Sequence, residues 1–292
     1  MIDQTLVNGI SAGLCYALVG LGLALVFEVC GFFDLGQGGV YLAGFYLTFA
    51  LSRSSHLPLS LAVPLGSLLA GAVGLLAYTM IYAPLKARAA GTVSLLVASL
   101  SVLSLIESTA SMIWGPDTLT LDAANQADAF EIGTARVAPM QAVSFAVTIL
   151  VYVAVGIARS LTSWGRHVKA IASDRELAEI FGVPVARTTM LTVGVASTVT
   201  GLAGVLAGLD TDMSPGTAFP AVLMAWVTTV LGGIGRISNT LVAGLFLGLL
   251  QHIPMIWVSS AWQEPILYGF LLVTLLLRPR GISTAPTESI QR

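Results

Sequence analysis

Residues 188–209, TTMLTVGVASTVTGLAGVLAGL, contain no charged side chain, and this run decides the fold class. A helix needs about 20 consecutive apolar residues to cross the roughly 30 Å hydrocarbon core of a bilayer. Backbone amides in lipid must be hydrogen-bonded internally, which restricts spanning structures to helices and closed barrels. The run is continuously apolar and lacks the two-residue alternation of a barrel strand. It therefore predicts a transmembrane helix.

The same property recurs along the chain, which is 56% hydrophobic and only 10% charged. Ordinary soluble domains are about 25% charged, so a chain of this composition needs lipid as part of its solvent. Nine apolar segments are predicted as helices: 5–30, 38–52, 58–83, 91–113, 139–158, 189–209, 218–231, 238–256 and 264–277. The predicted fold class is an all-α, polytopic transmembrane helical bundle. It forms a single domain, residues 1–292, with short or broken helices beside glycine-rich stretches.

The distribution of Lys and Arg predicts the orientation, because cytoplasmic loops carry an excess of both. If the loop 159–187 is cytoplasmic, nine crossings place eleven of the thirteen basic residues inside the cell: Lys86, Arg88, Arg159, Arg166, Lys169, Arg175, Arg187, Arg236, Arg278, Arg280 and Arg292. Acidic residues, including Asp210 and Asp212, then fall on the outer side. The N-terminus is therefore predicted outside and the C-terminus inside. No basic residue precedes the first apolar run, which indicates a retained helix rather than a cleaved signal peptide.

Residues 36–76 and 214–250 form a weak internal repeat. Each reads as a glycine-containing entry, a short apolar helix, a turn and a glycine-spaced helix. Under the predicted orientation the copies run in opposite directions, as in the inverted repeats of many transporters; the alternative is that any two apolar hairpins look alike. Regularly spaced small residues predict close helix packing, with substrate lining as the alternative. They are Gly194, Ser197, Gly201, Gly204, Gly208, Gly244 and Gly248.

Glu107 stands inside the apolar segment 91–113, where an unpaired carboxyl group is costly and should face protein or a water-filled cavity. The same helix carries a polar stripe of Ser94, Ser101, Ser104, Ser108 and Ser111. We therefore predict that Glu107 and Ser104 line a translocation path. The alternative is a carboxyl group that is satisfied by serine or backbone donors.

Asp34 and Gln37 lie at a break in the helical pattern, GFFDLGQG at 31–38. Non-helical backbone at membrane depth is tolerated only where it is buried in protein or lines a cavity. Both residues are therefore further candidates for the path, although Asp34 has the alternative of an interfacial N-cap for the following helix. Glu28, just before the break, is interpreted as an interfacial charge.

The loop 159–188 contains a short helix whose start and end are both marked in the sequence. Ser173 followed three residues later by Glu176 is a capping box, and Gly182 with Pro184 beyond it marks a helix end. A helix this short is marginal alone, so its apolar face is predicted to dock on another protein, with a membrane-surface helix as the alternative. That face comprises Leu177, Ile180 and Phe181.

The chain offers no catalytic machinery. No Gly-x-x-x-x-Gly-Lys-Ser/Thr phosphate loop occurs, which excludes ATP binding of the usual kind. His56, His167 and His252 fall in separate segments without metal-ligand spacing. Cys15 and Cys30 would lie roughly 22 Å apart along one helix and cannot pair. We expect no enzymatic activity, no cofactor, no metal and no nucleic-acid partner.

Several stretches carry a family likeness: GRHVKAIASD at 165–174 with the following 178–183, the block from 213–216 to 230–235, the opening 13–38, and RPRG at 278–281. Together they resemble the permease family of branched-chain amino acid ABC importers, in particular its LivH-like branch. The resemblance spans nearly the whole chain.

The resemblance implies the transmembrane permease subunit of an ABC importer that carries branched-chain amino acids across the inner membrane. It implies a second homologous permease subunit, cytoplasmic ATPase subunits and an extracytoplasmic substrate-binding protein as partners within the lipid bilayer. It assigns Asp174 to Gly182, with Ala178, to the coupling helix that docks on the ATPase.

Two departures from the family pattern, at 33–38 and at Glu107, leave urea and short-chain amides as an alternative substrate class. A stand-alone ion-coupled secondary transporter is less favoured, because Glu107 is the one deep charge available for ion coupling. A membrane scaffold without transport activity would not need two glycine-broken hairpins.

Overall fold

The computed structural model describes residues 2–121, 130–132, 135–137, 139–233 and 237–256, together with residues 265, 266, 269, 270 and 272. In chain order the helices are α1 (Ile2–Cys30), α2 (Gly36–Ser54), α3 (Leu59–Ala77), α4 (Ala83–Ala87), α5 (Thr92–Trp114), α6 (Pro139–Leu161), α7 (Ser163–Ser173), α8 (Arg175–Ile180), α9 (Val185–Asp210), α10 (Ala218–Gly232) and α11 (Ile237–His252). Short 3₁₀ turns at Pro215–Thr217 and Ile253–Ile256 precede α10 and follow α11.

The predicted helical bundle is confirmed. Six segments of the described chain are long and apolar enough to cross a membrane: Asp3–Cys30, Leu59–Ala87, Thr92–Trp114, Met140–Leu161, Val185–Asp210 and Pro215–Gly232. With α2 and α11 they match the first eight predicted segments. The ninth, 264–277, lies largely outside the described residues.

One feature of the described chain departs from an all-α fold. Strands β1 (Phe130–Ile132) and β2 (Ala135–Val137) pair antiparallel between α5 and α6. From sequence this region is only an outer loop, because three-residue strands are too short to leave a periodic signal. The bundle itself is unaffected, since the hairpin lies in a connection between two helices.

The two long helices α1 and α9 are the most buried of the membrane-spanning segments, whereas α5 and α6 keep most of their surface exposed. Helix α3 packs chiefly against α9, and α11 packs chiefly against α1. In the first half, the long helix α1 is followed by the break, the short helix α2 and then α3, which packs on α9. In the second half, the long helix α9 is followed by an interruption, the short helix α10 and then α11, which packs on α1. The repeat therefore extends beyond the predicted 36–76 and 214–250 to include α1 and α9.

Most of the small residues predicted to allow helix packing do so within this chain; Gly194 is the exception, because a side chain there would meet open space. A side chain at Gly204 would collide with the backbone of Tyr41 in α2, and one at Gly201 would collide with Ala70 in α3. In the other half, Gly244 and Gly248 leave room for the α1 backbone in the same way. These contacts bring the helix axes close enough for backbone to meet backbone.

A single turn of π-helix, Tyr78–Tyr82, joins α3 to α4 in one continuous segment. Pro84 lacks the N–H that would otherwise bond to Met80 in a regular α-helix. Such widened turns occur frequently at functional sites. This turn carries Tyr82, whose side chain is fully buried and reaches the break between α1 and α2.

Candidate functional site

Asp34 lies in the break between α1 and α2 and is almost fully buried. Its Oδ1 accepts hydrogen bonds from the Tyr82 hydroxyl at 2.7 Å and from the Gly36 backbone N–H at 2.9 Å. The second contact satisfies one of the N–H groups that have no intrahelical partner at the start of α2. The N-cap of α2 is Leu35 rather than Asp34, so Asp34 accepts from the first turn of the helix without being its N-cap, and it does so inside the protein rather than at the membrane surface.

Gln37 connects the break to α9. Its Nε2 donates to Asp34 Oδ2 and to Ser197 Oγ, both at 3.2 Å. Its Oε1 is buried and has no hydrogen-bond partner among the described residues. Ser99 of α5 completes the group by accepting from the Leu35 backbone N–H at 3.2 Å. The structure thus brings the predicted pair together, with partners from three other helices that sequence analysis missed.

Glu107 is half-buried on α5 and accepts a hydrogen bond from the backbone N–H of Phe219. Phe219 belongs to the first turn of α10, where N–H groups lack intrahelical partners and the helix dipole favours a negative charge. The carboxyl group consequently stabilises the start of α10. This contact agrees with the alternative of a backbone donor.

Ser104 is exposed on α5, with Ser101 and Ser108. Leu103 and Ile106 of the same helix point the other way and pack against the start of α2. The four predicted path residues therefore occupy two places. The pair at the break lies inside the subunit, whereas Ser104 lies on an exposed side of α5 and Glu107 lies at the edge of that side, against α10.

The predicted coupling helix is α8, and it differs from the prediction at its start. Ser173 is the last residue of α7, so Asp174 is the N-cap, and its Oδ1 accepts from the Leu177 backbone N–H at 3.0 Å. Serine and aspartate are about equally good caps, which is why the sequence alone assigned the wrong one of two neighbours.

The predicted end at Gly182 is confirmed. Gly182 has a φ of +78°, a conformation that glycine adopts without steric cost. Its N–H donates to Glu179 O and the Val183 N–H donates to Ala178 O, both at 3.0 Å. This pair of bonds is a Schellman motif. It turns the chain sharply into α9.

The apolar face of α8 has no cover in the described chain. Leu177, Ile180 and Phe181 are 51%, 79% and 78% exposed, whereas Ala178 is only 4% exposed. Ala178 therefore packs inside this subunit and positions α8, rather than offering a surface to a partner. The other three side chains form the surface that a partner could contact.

The last turn of α1 connects this loop to the break. The Arg175 guanidinium donates to Val29 O at 3.4 Å, and Lys86 Nζ donates to Cys30 O at 2.5 Å. Carbonyls at a helix C-terminus lack intrahelical partners, and the helix dipole favours cations there. Arg175 is thus bound to α1 and is more than an exposed charge of α8.

Glu28, interpreted from sequence as an interfacial charge, is instead buried at the end of α1. Its two carboxylate oxygens accept hydrogen bonds from the two terminal nitrogens of Arg159, at 2.5 and 2.7 Å. Arg159 lies near the end of α6, directly before α7. The ion pair therefore fixes the start of the segment that contains α7 and α8 to α1.

No group of three or more His, Cys, Asp or Glu side chains that could hold a metal ion occurs among the described residues.

Comparison with known proteins covers almost the whole chain. The sequence pattern of the permease components of branched-chain amino acid transport systems matches residues 5–276. The high-affinity branched-chain amino acid transport system permease protein LivH of Escherichia coli strain K12 is 26% identical over 298 residues, covering 97% of this chain and 96% of its own. The corresponding permease protein BraD of Pseudomonas aeruginosa has the same identity and coverage. The ribose import permease protein RbsC of Haemophilus influenzae is 24% identical, covering 97% of this chain and 85% of its own. No solved structure matches the chain.

Proposed function

This chain belongs to the family of branched-chain amino acid transport system permease components, and from that premise we propose that it is the membrane-spanning subunit of an ATP-driven importer for branched-chain amino acids. It lies in the inner membrane as a multi-pass protein. ATP is hydrolysed by separate cytoplasmic subunits, and an extracytoplasmic binding protein delivers the substrate.

The exposed apolar face of α8 is the observation that carries this proposal. A six-residue helix that is capped at both ends and fixed to α1 and α7 is a rigid element. Three exposed apolar side chains on such an element are typical of anchors for a protein partner. An ATPase subunit is the partner that a transport permease needs on its cytoplasmic side.

The orientation with the N-terminus outside follows in two steps. The basic residues collect in the loop that contains α7 and α8. Five crossing segments precede that loop, namely α1, α2, α3 with α4, α5 and α6, and an odd number puts the loop opposite the N-terminus. Labelling of a cysteine at position 173 in intact cells by a membrane-impermeant thiol reagent would contradict this orientation.

The uncovered side of α5 supports a second permease subunit. Ser101, Ser104 and Ser108 are exposed there beside the half-buried Glu107. A polar face with a carboxyl group is costly against lipid and is expected to face protein or water. In the proposed complex a homologous permease covers this face, and the translocation path runs between the two subunits.

Uptake measurements test the proposal and its competitors together. Deletion of the gene is expected to abolish uptake of labelled leucine, isoleucine and valine, and the native chain is expected to restore it. Uptake must require ATP and persist when ionophores collapse the ion gradients. Uptake driven by an ion gradient would identify a secondary transporter. Uptake of ribose instead of amino acids would favour the function of the sugar permease relative.

Glu107→Gln is expected to lower the uptake efficiency for amino acids by about tenfold, the equivalent of roughly 1.4 kcal/mol of lost attraction for a substrate ammonium group. The amide oxygen of Gln can still accept the Phe219 N–H, so the chain should assemble normally. Initial uptake rates over a range of substrate concentrations and pH values check this. Unchanged rates and an unchanged pH profile would restrict Glu107 to its structural contact with α10.

A further inference from the structure

A cavity of about 290 Å³ lies within this single subunit, away from both groups of predicted path residues. Helices α1, α2, α6, α9 and α11 contribute to its wall, among others through Cys15, Tyr16, Tyr41, Gln141, Asp210 and His252. This volume is at the lower end of the range of ligand pockets, about 300–1,000 Å³. It therefore suits a ligand of the size of a small amino acid.

The cavity wall holds a fixed carboxylate. Asp210 Oδ2 accepts from Ser11 Oγ and Oδ1 accepts from Gln141 Nε2, both at 2.8 Å. The two donors come from α1 and α6, so the carboxylate has a defined position between three helices. No Lys or Arg is found among the described residues that line the cavity.

Two helix ends add to the negative potential. Asp210 is the last residue of α9, and His252 is the last residue of α11. The C-terminus of a helix carries about half a negative charge, which favours cations and disfavours a carboxylate at that place. A carboxylate held there by two neutral donors gives the described wall of the cavity a negative charge that no Lys or Arg of that wall offsets. A positively charged ligand group would compensate it.

We infer that this cavity binds an ammonium group, with Asp210 as its counter-charge. On the proposed function, on which this assignment rests, the ligand is an amino acid that has not yet entered the path between the two subunits; its α-ammonium group contacts Asp210 and its side chain lies toward the apolar part of the wall. Tyr16 and Tyr41 bound the remaining space.

Cys15 makes the inference testable without knowledge of the substrate. The chain has two cysteines, so Cys30→Ala leaves Cys15, which lines the cavity, as its single thiol. The full chain, in open membrane fragments that expose both faces, is treated with ethyltrimethylammonium and ethylsulfonate methanethiosulfonates. The ratio of the two reaction rates at Cys15 is divided by the ratio of the rates at which the same two reagents react with free 2-mercaptoethanol. This division removes the intrinsic difference in reactivity between the reagents. We expect the cationic reagent to be favoured by tenfold or more, because Cys15 and Asp210 line the same cavity and the carboxylate attracts the cationic reagent and repels the anionic one.

Three further variants assign the selectivity to Asp210. Asp210→Asn should reduce the ratio to near one, and Asp210→Glu, which keeps the charge, should retain it. Asp212→Asn removes an exposed carboxylate two residues away and should leave the ratio unchanged. A ratio near one in the Cys30→Ala chain, a ratio that survives in Asp210→Asn, or a Cys15 that reacts with neither reagent would overturn the inference.

Leucine added before the cationic reagent separates this inference from the proposed function. Protection of Cys15 by leucine supports both. Charge selectivity without protection by any amino acid supports the ammonium site and counts against amino acids as the substrate. Normal leucine import by a chain whose Cys15 shows no charge selectivity leaves the importer in place and overturns the ammonium site.

Discussion

Phe181→Asp is expected to abolish ATP-driven uptake and to release the ATPase subunits from the purified importer. Phe181 is 78% exposed beside the exposed Ile180 and Leu177, so it is the largest side chain on the proposed docking surface. Loss of an apolar anchor at the centre of an interface typically costs about 2 kcal/mol or more. A buried, unpaired carboxylate adds a desolvation cost. Since each roughly 1.4 kcal/mol is a factor of ten in affinity, ATPase binding should fall by well over tenfold.

The measurement is ATPase co-purification together with ATP-driven uptake, and the matched controls lie on the same helix. Phe181→Leu keeps an apolar anchor and should retain most of both signals. Glu179→Ala changes the opposite side of α8 and should be silent. Membrane insertion should be normal in all three variants, because the altered side chains are exposed in the described chain and lie outside the membrane-spanning segments. Normal ATPase binding and uptake in Phe181→Asp would favour a membrane-surface role for α8.

Substitution of Arg175 distinguishes binding of the ATPase subunit to α8 from transmission of its movement to the membrane helices. Arg175 is not part of the apolar face of α8, so docking should survive Arg175→Ala. The structure adds its contact with Val29 O at the end of α1, immediately before the break that holds Asp34. Movement of α8 by an ATPase would reach that break through this contact and through the buried pair of Glu28 and Arg159. The cytoplasmic loop and the break between α1 and α2 therefore form one mechanical unit in the proposed importer.

The membrane-spanning helices were predictable because a long apolar run without charge is what a segment needs in order to cross lipid. The end of α8 was predictable for a local reason, since Gly182 adopts a backbone conformation that few other residues tolerate. Its start was not, because Ser173 and Asp174 are adjacent and both are good caps. Helix α7, which ends at Ser173, was not predicted from the sequence.

The polar sites were predictable only where their members are close in sequence. Asp34 and Gln37 are three residues apart and belong to one break. Their partners Tyr82 and Ser197 lie 48 and 160 residues away, respectively, so only the packing of the helices identifies them. From sequence Asp210 is an ordinary outer acidic residue, because its donor Ser11 is 199 positions away. Sequence patterns along one helix also cannot show which side a neighbour covers, which is why the sequence places Ser104 and Gln37 on the same path.

Arg159→Met is expected to destabilise the folded chain by about 3–5 kcal/mol, the usual cost of removing one partner from a buried ion pair. The side chains of Arg159 and Glu28 are 11% and 2% exposed, and both oxygens of Glu28 depend on this guanidinium. Met keeps much of the apolar length of Arg and removes the charge. The carboxylate of Glu28 then remains buried without its partner, and the connection between α1 and the loop before α7 is lost.

The double variant Glu28→Gln with Arg159→Met distinguishes the charge from the packing. With both charges removed, no unpaired ion is buried, so the double variant should regain most of the lost stability; replacement of a whole buried pair is often close to neutral. Unfolding of the purified chain in detergent, followed by tryptophan fluorescence as denaturant is added, measures the native chain and both variants. A double variant as unstable as Arg159→Met would mean that Arg159 acts through its other contacts. Equal stability of Arg159→Met and the native chain would mean that the pair does not hold the cytoplasmic loop to α1.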